Sequence, residues 1–511
     1  MSGYYVENFG CRATQADGGA LERQFEERGL ARASTPGQAA VVVLNTCTVT
    51  AAADQDARAA IRRIQRQNPG ARIVVTGCYA QRAPEEIAAL PGVSCVIGNS
   101  HKHRLAEIAL HGRTVTAPAG TFVPLSELAL FRQPATIDGP AAIFVSDIFA
   151  HTELLAAPVF DGECDEGGRT RPNLKIQDGC DNRCSFCVIP YVRGQSRSLE
   201  TDRILQEVTA LVESGYREVV LSGINLGRWG RDLAVSRQRS AVSNSRASFL
   251  ACSERSQGTH NPGLTSLIRA ILDETALQKL RLSSIEPMDW SDELIALVAS
   301  SRRIAKHAHV PMQSGSDAVL RRMHRKYRPW HYREKIEKIR AAMPTAAIGA
   351  DVMVGFPGET EADFEATRRM IEDLPFTYLH VFTYSARPGT PAAAMAKQVW
   401  VPVARERNRI LRELAGGKKV AFMQSFVGKE IEAITLRKGC AGEGPFDCRS
   451  GQVRVTQFSC AGESPAPTQF TEALTDNYLR LHLKGRHEAN QWLRARVEDV
   501  VGGTLVGLKA V

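Results

Sequence analysis

Three times in the first 80 residues an apolar run stops at a cysteine and a helix-forming stretch takes over. YYVENFGC ends at Cys11, AAVVVLNTC at Cys47 and ARIVVTGC at Cys78, with GALERQFEERG and TAAADQDARAAIRRIQRQN between them. Parallel strands need a crossover, and a helix is the usual one, so this alternation restricts the region to βαβ units covered on both faces. A fourth run, GVSCVIG, carries Cys95 inside the strand instead of at its end. Ligand sites in such sheets form at the carboxyl ends of the strands. Cys11, Cys47 and Cys78 are therefore expected to converge, although 36 and 31 residues separate them. One cysteine at a strand end reads as a small buried residue; three at the same offset favour a metal site.

A second pattern begins at residue 173. The runs NLKIQDG, REVVLSG, KLRLSSIEP, KHAHVPM, IGADVMVGFPG and YLHVFTYS are strand candidates separated by helical stretches such as ETDRILQEVTALVESG. Six such units predict a partial (β/α)6 barrel over 173–420. The Ser- and Arg-rich segment 235–262 interrupts the rhythm and reads as a surface insertion. Residues 116–172 read as a connection from a Rossmann-like domain at 1–115. VGKEIEAITL, GQVRVTQFS, NYLRLHLKG and QWLRARVEDVVGGTLVGL predict a small β-barrel over 427–505. Cys164, Cys252, Cys440, Cys448 and Cys460 fall in loops with no ligand spacing and are taken as non-ligands.

Directly after the first of the six strands stands QDGCDNRCSFCVIPYVRG, with Cys180, Cys184 and Cys187 in C-x3-C-x2-C spacing. Zinc sites usually pair cysteines as C-x2-C with a second pair downstream, and no fourth cysteine or histidine lies nearby. A [4Fe–4S] cluster normally takes four thiolates; three leave one iron open. Twelve cysteines in a chain expected to carry no secretory leader favour ligation or catalysis over disulfides. The expected location is the cytoplasm, because no apolar run approaches the ~20 residues that cross a bilayer. A balance of 64 basic against 55 acidic side chains, net +9, admits a polyanionic partner such as RNA.

C-x3-C-x2-C resembles the defining motif of radical S-adenosylmethionine enzymes, where an aromatic such as Phe186 precedes the last cysteine. The resemblance implies that the open iron chelates S-adenosylmethionine and that one electron cleaves it to a 5′-deoxyadenosyl radical. Ser222, Gly223 and Asn225 are then candidates for its amino and carboxylate groups, and Ser284, Glu286, Gly355 and Gly358 for ribose or adenine. The same glycines serve equally well as ordinary turn residues.

With both cysteine trios, NTCTVTAAAD, TGCYAQ, HVPMQSGS, VGFPGET and YSARPGTPA, the chain resembles the methylthiotransferase family over nearly its whole length. That resemblance implies a second [4Fe–4S] cluster on Cys11, Cys47 and Cys78, a TRAM-like RNA-binding C-terminal barrel and a flavodoxin- or ferredoxin-type electron donor. LSGINLGRWGRDL is most similar to the branch acting on N6-threonylcarbamoyladenosine at position 37, in the tRNA anticodon stem-loop. Isopentenyladenosine, a ribosomal-protein aspartate and a non-catalytic iron–sulfur RNA-binding role remain the alternatives. The run Leu320–Arg340, with Tyr327 and Trp330 among basic residues, is a candidate RNA contact or a solvated helix face.

Overall fold

The computed structural model describes residues 3–10, 12–111, 141–151, 154, 170–234, 263–437 and 470–510. Cys11, the insertion at 235–262, the strand candidate GQVRVTQFS and Cys164, Cys252, Cys440, Cys448 and Cys460 lie outside these residues. Among the described residues no helix is long and apolar enough to cross a membrane.

The first unit is a five-stranded parallel sheet in sequential order, built from Tyr4–Asn8 (β1), Val41–Thr46 (β2), Arg72–Gly77 (β3), Val93–Ile97 (β4) and Ala142–Phe144 (β5). Every residue of β2 is buried, as a strand with helices on both faces requires. Val42, Leu44 and Val75 pack on Ile61 and Ile64 of helix Ala51–Gln67, while Val41, Val43 and Val74 pack on Leu21 and Phe25 of helix Arg12–Glu26. β5 departs from expectation. Ala142–Phe144 lies in the stretch read as a connection, yet it pairs with Cys95–Ile97 and extends the sheet. Three residues with half-exposed side chains carry too little periodicity to announce a strand.

The second unit carries the six expected parallel strands: Asn173–Asp178 (β6), Glu218–Gly223 (β8), Lys279–Leu282 (β9), His307–His309 (β10), Ala347–Val354 (β11) and Tyr378–Thr383 (β12). A two-residue antiparallel strand, Arg197–Ser198 (β7), flanks β6. Single bridges join β9 to β10, so the wall divides into sheets of four and three strands. Alternation sorts the side chains. Leu174, Ile176, Val219, Leu221 and Leu280 join the core beneath the outer helices, and the intervening Lys175, Glu218, Arg281, His307, His309 and Asp351 give the other face of the wall its polar character.

The third unit is a closed barrel of Glu430–Thr435 (β13), Phe470–Thr475 (β14), Arg480–Lys484 (β15), Trp492–Val501 (β16) and Thr504–Lys509 (β17), ordered β13-β14-β15-β17-β16. Its turn after β14 closes the lower end of the central lumen. Asn477 Nδ2 donates to the Thr345 carbonyl at 3.0 Å and Arg281 Nη1 to the Asp476 carbonyl at 3.0 Å. The Tyr478 ring lies 4.9 Å from His307 and takes the Arg281 guanidinium over its face at 4.8 Å. Arg12, from the first unit, donates to the Tyr478 hydroxyl. All three units therefore meet at one residue.

Candidate active site at the carboxyl ends of the barrel strands

Cys180, Cys184 and Cys187 occupy the loop after β6. Backbone bonds clamp that loop: Cys180 N–H donates to Gly194, Ser185 N–H to Met323, and Ala392 N–H to Ser185. Polar donors reach the sulfurs. The Asn182 amide donates to Cys180 Sγ at 3.4 Å, Asn225 Nδ2 to the same sulfur at 3.8 Å, and Arg325 Nη1 to Cys184 Sγ at 3.3 Å. Burial raises the Cys180 thiol and pushes Cys187 up to about 12, so iron must displace their protons on binding. A single tetrahedral ion with ~2.3 Å metal–sulfur bonds holds its sulfurs about 4 Å apart. Among the described residues only His309, Asp351 and His380 bring three ligand atoms within 4.8 Å of one another. The loop thiols are spread more widely, as irons at separate corners of a cluster demand. The donor set fits a [4Fe–4S] cluster.

The cofactor candidates divide. At the ends of β8 and β9, Ser222 Oγ, Asn225 Oδ1 and Ser283 Oγ are buried without a hydrogen-bond partner, a cost of about 1–3 kcal/mol each that a polar ligand would relieve. Ser284 is instead bonded to His309 Nδ1 at 2.6 Å, and Glu286 to Arg325. Gly223 packs on the Gln177 side chain. Phe186 packs edge-on to Phe356, centroids 6.4 Å apart. Gly355 has a packing reason of its own: its φ is +74°, and an added Cβ would stand 2.5 Å from Ala404 Cβ. Gly358, at φ +76°, offers its carbonyl to Arg322.

Cys47 follows β2, and Cys78 opens the short helix after β3. Gly10 fits directly against Cys47, where a Cβ would lie 2.6 Å from the Cys47 Cβ. Cys78 packs with Val188, Ile189 and Val192 of the second unit, immediately after Cys187. The two cysteine-bearing ends thus face each other. Cys95, as expected, is buried within its strand, and burial raises its thiol to about 12.

Two polar networks that the sequence did not announce hold this apposition. Asp17 receives Lys102 Nζ and Arg193 Nη2 at 3.0 Å each, and also Lys175; Arg193 and Lys175 in turn reach Asp178. Burial alone would raise Asp17, but Lys102, Lys175 and Arg193 hold its carboxyl well below the usual carboxylate range. On the other side, Arg82 and Arg387 both bind Thr48 and Asp54. The motifs NTCTVTAAAD, GCYAQR and YSARPG therefore meet around one ion cluster. Arg325, which joins Cys184 to Glu286, was also missed. It sits in the run read as either an RNA contact or a solvated helix face, and for Tyr327 both readings are corrected: it is 2 % exposed and bonds the Pro311 and Met312 carbonyls. Its ring is core and has no face to offer a base. Trp330 remains exposed, at 57 %.

Residues 3–98 match the profile described as uncharacterized protein family UPF0004, and residues 174–371 match the radical SAM superfamily. The chain is 34 % identical to the threonylcarbamoyladenosine tRNA methylthiotransferase MtaB of Aquifex aeolicus, over 84 % of this chain and 92 % of that protein. It belongs to the radical SAM methylthiotransferase family. Within that family it is also 32 % identical to the tRNA-2-methylthio-N(6)-dimethylallyladenosine synthase of Erythrobacter litoralis, over 85 % of this chain and 87 % of that one. Among solved structures, the radical S-adenosylmethionine methyltransferase TsrM of Kitasatospora setae aligns with a TM-score of 0.47 at 15 % identity, covering 76 % of this chain and 74 % of that one. Membership brings a [4Fe–4S] cluster and S-adenosylmethionine to this methylthiotransferase, and it is an enzyme that transfers a methylthio group.

Proposed function

We propose that this enzyme installs a methylthio group at C2 of N6-threonylcarbamoyladenosine at position 37 of tRNA. The reading rests on the apposition of two cysteine-bearing ends across the Cys78–Val188 contact, and the choice of base follows the MtaB relatives. Cys180, Cys184 and Cys187 would hold the radical-generating cluster, and Cys11, Cys47 and Cys78 a second one. When bound, the first cluster and one S-adenosylmethionine would supply the radical that removes hydrogen from adenine C2, the second cluster would supply sulfur, and another S-adenosylmethionine would supply its methyl group.

The chain's own residues set the conditions. Asn182, Asn225 and Arg325 direct N–H dipoles and one positive charge at the sulfurs, favouring the reduced, more negative cluster. Ser222, Ser283 and Asn225 offer their unpartnered atoms to the amino-acid end of S-adenosylmethionine. The networks around Asp17 and Asp54 hold the two units at fixed spacing. The C-terminal barrel, TRAM-like, exposes Arg480, Arg494 and Arg496 for the phosphates of the anticodon stem-loop, and a flavodoxin- or ferredoxin-type protein delivers the electron.

Mass spectrometry of tRNA nucleosides from cells lacking the protein tests the reading. The 2-methylthio derivative should vanish while N6-threonylcarbamoyladenosine accumulates. An unchanged level would overturn it, and loss of the dimethylallyl derivative instead would reassign the substrate.

A further inference from the structure

The turn between β8 and the insertion contains a cationic site that the mechanism above leaves unused. Its frame is pinned along its length. Asn225 N–H donates to Gln177 Oε1 at 2.7 Å, the buried Trp229 donates Nε1–H to Leu199 at 3.0 Å, and Asp232 receives both the amide and the hydroxyl of Ser198. Arg228 and Arg231 project from this frame toward Asp289. Arg231 Nη2 donates to Asp289 Oδ1 at 2.9 Å, whereas Arg228 Nε stands 3.8 Å from Oδ2. Among the described residues the Arg228 guanidinium makes no hydrogen bond. The Asp289 side chain is 3 % exposed, and its Oδ2 and Arg228 Nε are both buried without a partner. Lys326 adds a third positive charge within electrostatic range.

The position is as telling as the charge. Arg228 follows three residues after Asn225, which reaches Cys180 Sγ, and Asp289 three residues after Glu286, which joins Arg325 and hence Cys184. The two segments meet where Gly227 lies so close to Asp289 that a Cβ would stand 2.4 Å from its Cβ. The site therefore stands on the same two turns whose first residues, Asn225 and Glu286, connect to the cluster loop. It offers a guanidinium with open donors beside a carboxylate oxygen with an open lone pair.

Building on the substrate reading above, we propose that Arg228 binds the carboxylate of the threonylcarbamoyl group, and that Asp289 Oδ2 accepts a hydrogen bond from its β-hydroxyl. An Arg–carboxylate fork is planar and bidentate, and a turn fixed at both ends presents it without reorganisation. The dimethylallyl group has neither function, so the site also selects between the two tRNA substrates. An RNA phosphate is the other oxyanion within reach, but Arg228 is recessed, with its side chain 20 % exposed, and the pairing with a hydroxyl acceptor suits a hydroxy acid.

The test uses reconstituted holoenzyme and anticodon stem-loops carrying threonylcarbamoyladenosine, its carboxamide, or the glycyl analogue lacking the hydroxyl. Wild-type enzyme should lose about ten- to hundred-fold in kcat/KM on the carboxamide, as expected for a charged hydrogen-bond pair, and less on the glycyl analogue. Arg228→Met should lose as much on the native stem-loop and nothing further on the carboxamide, and Arg228→Lys should recover part of the loss. Wild-type indifference to the carboxamide would overturn the proposal. An Arg228→Met loss of equal size on both stem-loops would do so too, assigning Arg228 to a phosphate. If wild-type enzyme modifies none of the three but does modify a dimethylallyl stem-loop, the substrate reading fails and the carboxylate site falls with it.

Discussion

Asp17 is the residue whose replacement tells most about how the two units are joined. Three buried cations, Lys102, Lys175 and Arg193, face two carboxylates, Asp17 and Asp178; Asp17→Asn leaves one. Lys102 would lose its charged partner and keep neutral acceptors alone, Asn45 Oδ1 at 3.0 Å and the single amide oxygen the substitution leaves. Removing one member of a buried ion cluster costs about 3–5 kcal/mol, because the remaining charges stay desolvated. Part of that cost is recoverable with pH. Burial pulls the Lys102 ammonium below its ordinary value, and loss of Asp17 lowers it further. Between that lowered value and the ordinary lysine value the unfolded chain binds the proton and the folded one does not, so variant stability rises with pH there. Wild-type Asp17 gives the same slope in a different window: its depressed carboxyl stabilises the fold at neutral pH, a contribution lost as the pH falls and acid protonates it. Hydrogen exchange on helix Arg12–Glu26 is the suitable assay, since a chain of several units has no single unfolding free energy. The variant should exchange about a hundred- to a few thousand-fold faster at neutral pH, as about 3–5 kcal/mol implies, and the gap should narrow in alkali. Exchange within about threefold of wild type would refute the account of this seam.

Arg325→Met should lower the yield of 5′-deoxyadenosine under fixed reductant, because Cys184 loses its charged donor and Glu286 is left without its partner; equal yield would dismiss its electrostatic role. Replacing Cys11, Cys47 and Cys78 with Ala should halve the roughly eight irons per chain expected of two four-iron clusters and spare cofactor cleavage, and loss of all iron would refute the two-site assignment. Gly355→Ala should destabilise the central unit by about 2 kcal/mol or more, from positive φ together with the 2.5 Å approach to Ala404; unchanged hydrogen exchange in β11 and helix Val401–Gln424 would contradict that.

The six barrel strands were legible because each buries a continuous apolar set on one face, and the cysteine loops because ligand spacing is local. What escaped was long-range and polar. Asp17 and Arg193 are 176 residues apart, and neither sits in a pattern that signals burial; only the fold makes them neighbours. Tyr327 misled for a related reason. Basic residues surround it in sequence, but Tyr327 lies in the bend ahead of helix Pro329–Ala342 and is buried, while Trp330 in that helix's first turn is exposed, so one run supplied both a core ring and a surface ring. Gly355 shows the limit in another way, since a glycine conserving space for a helix and one making room for a cofactor look identical in a sequence.

The contact between Tyr478 and residues Arg12, Arg171 and Arg281 has a consequence for how the molecule is made. The chain leaves the ribosome from its amino end, so the loop bearing Cys180 emerges long before the residue that seals the lumen from below. Throughout synthesis of the central unit, the polar wall is open at its lower end and the first unit lacks the hydroxyl that Arg12 engages. Closure waits for the third unit, so the lower end of the polar wall cannot be completed before Tyr478 has been made.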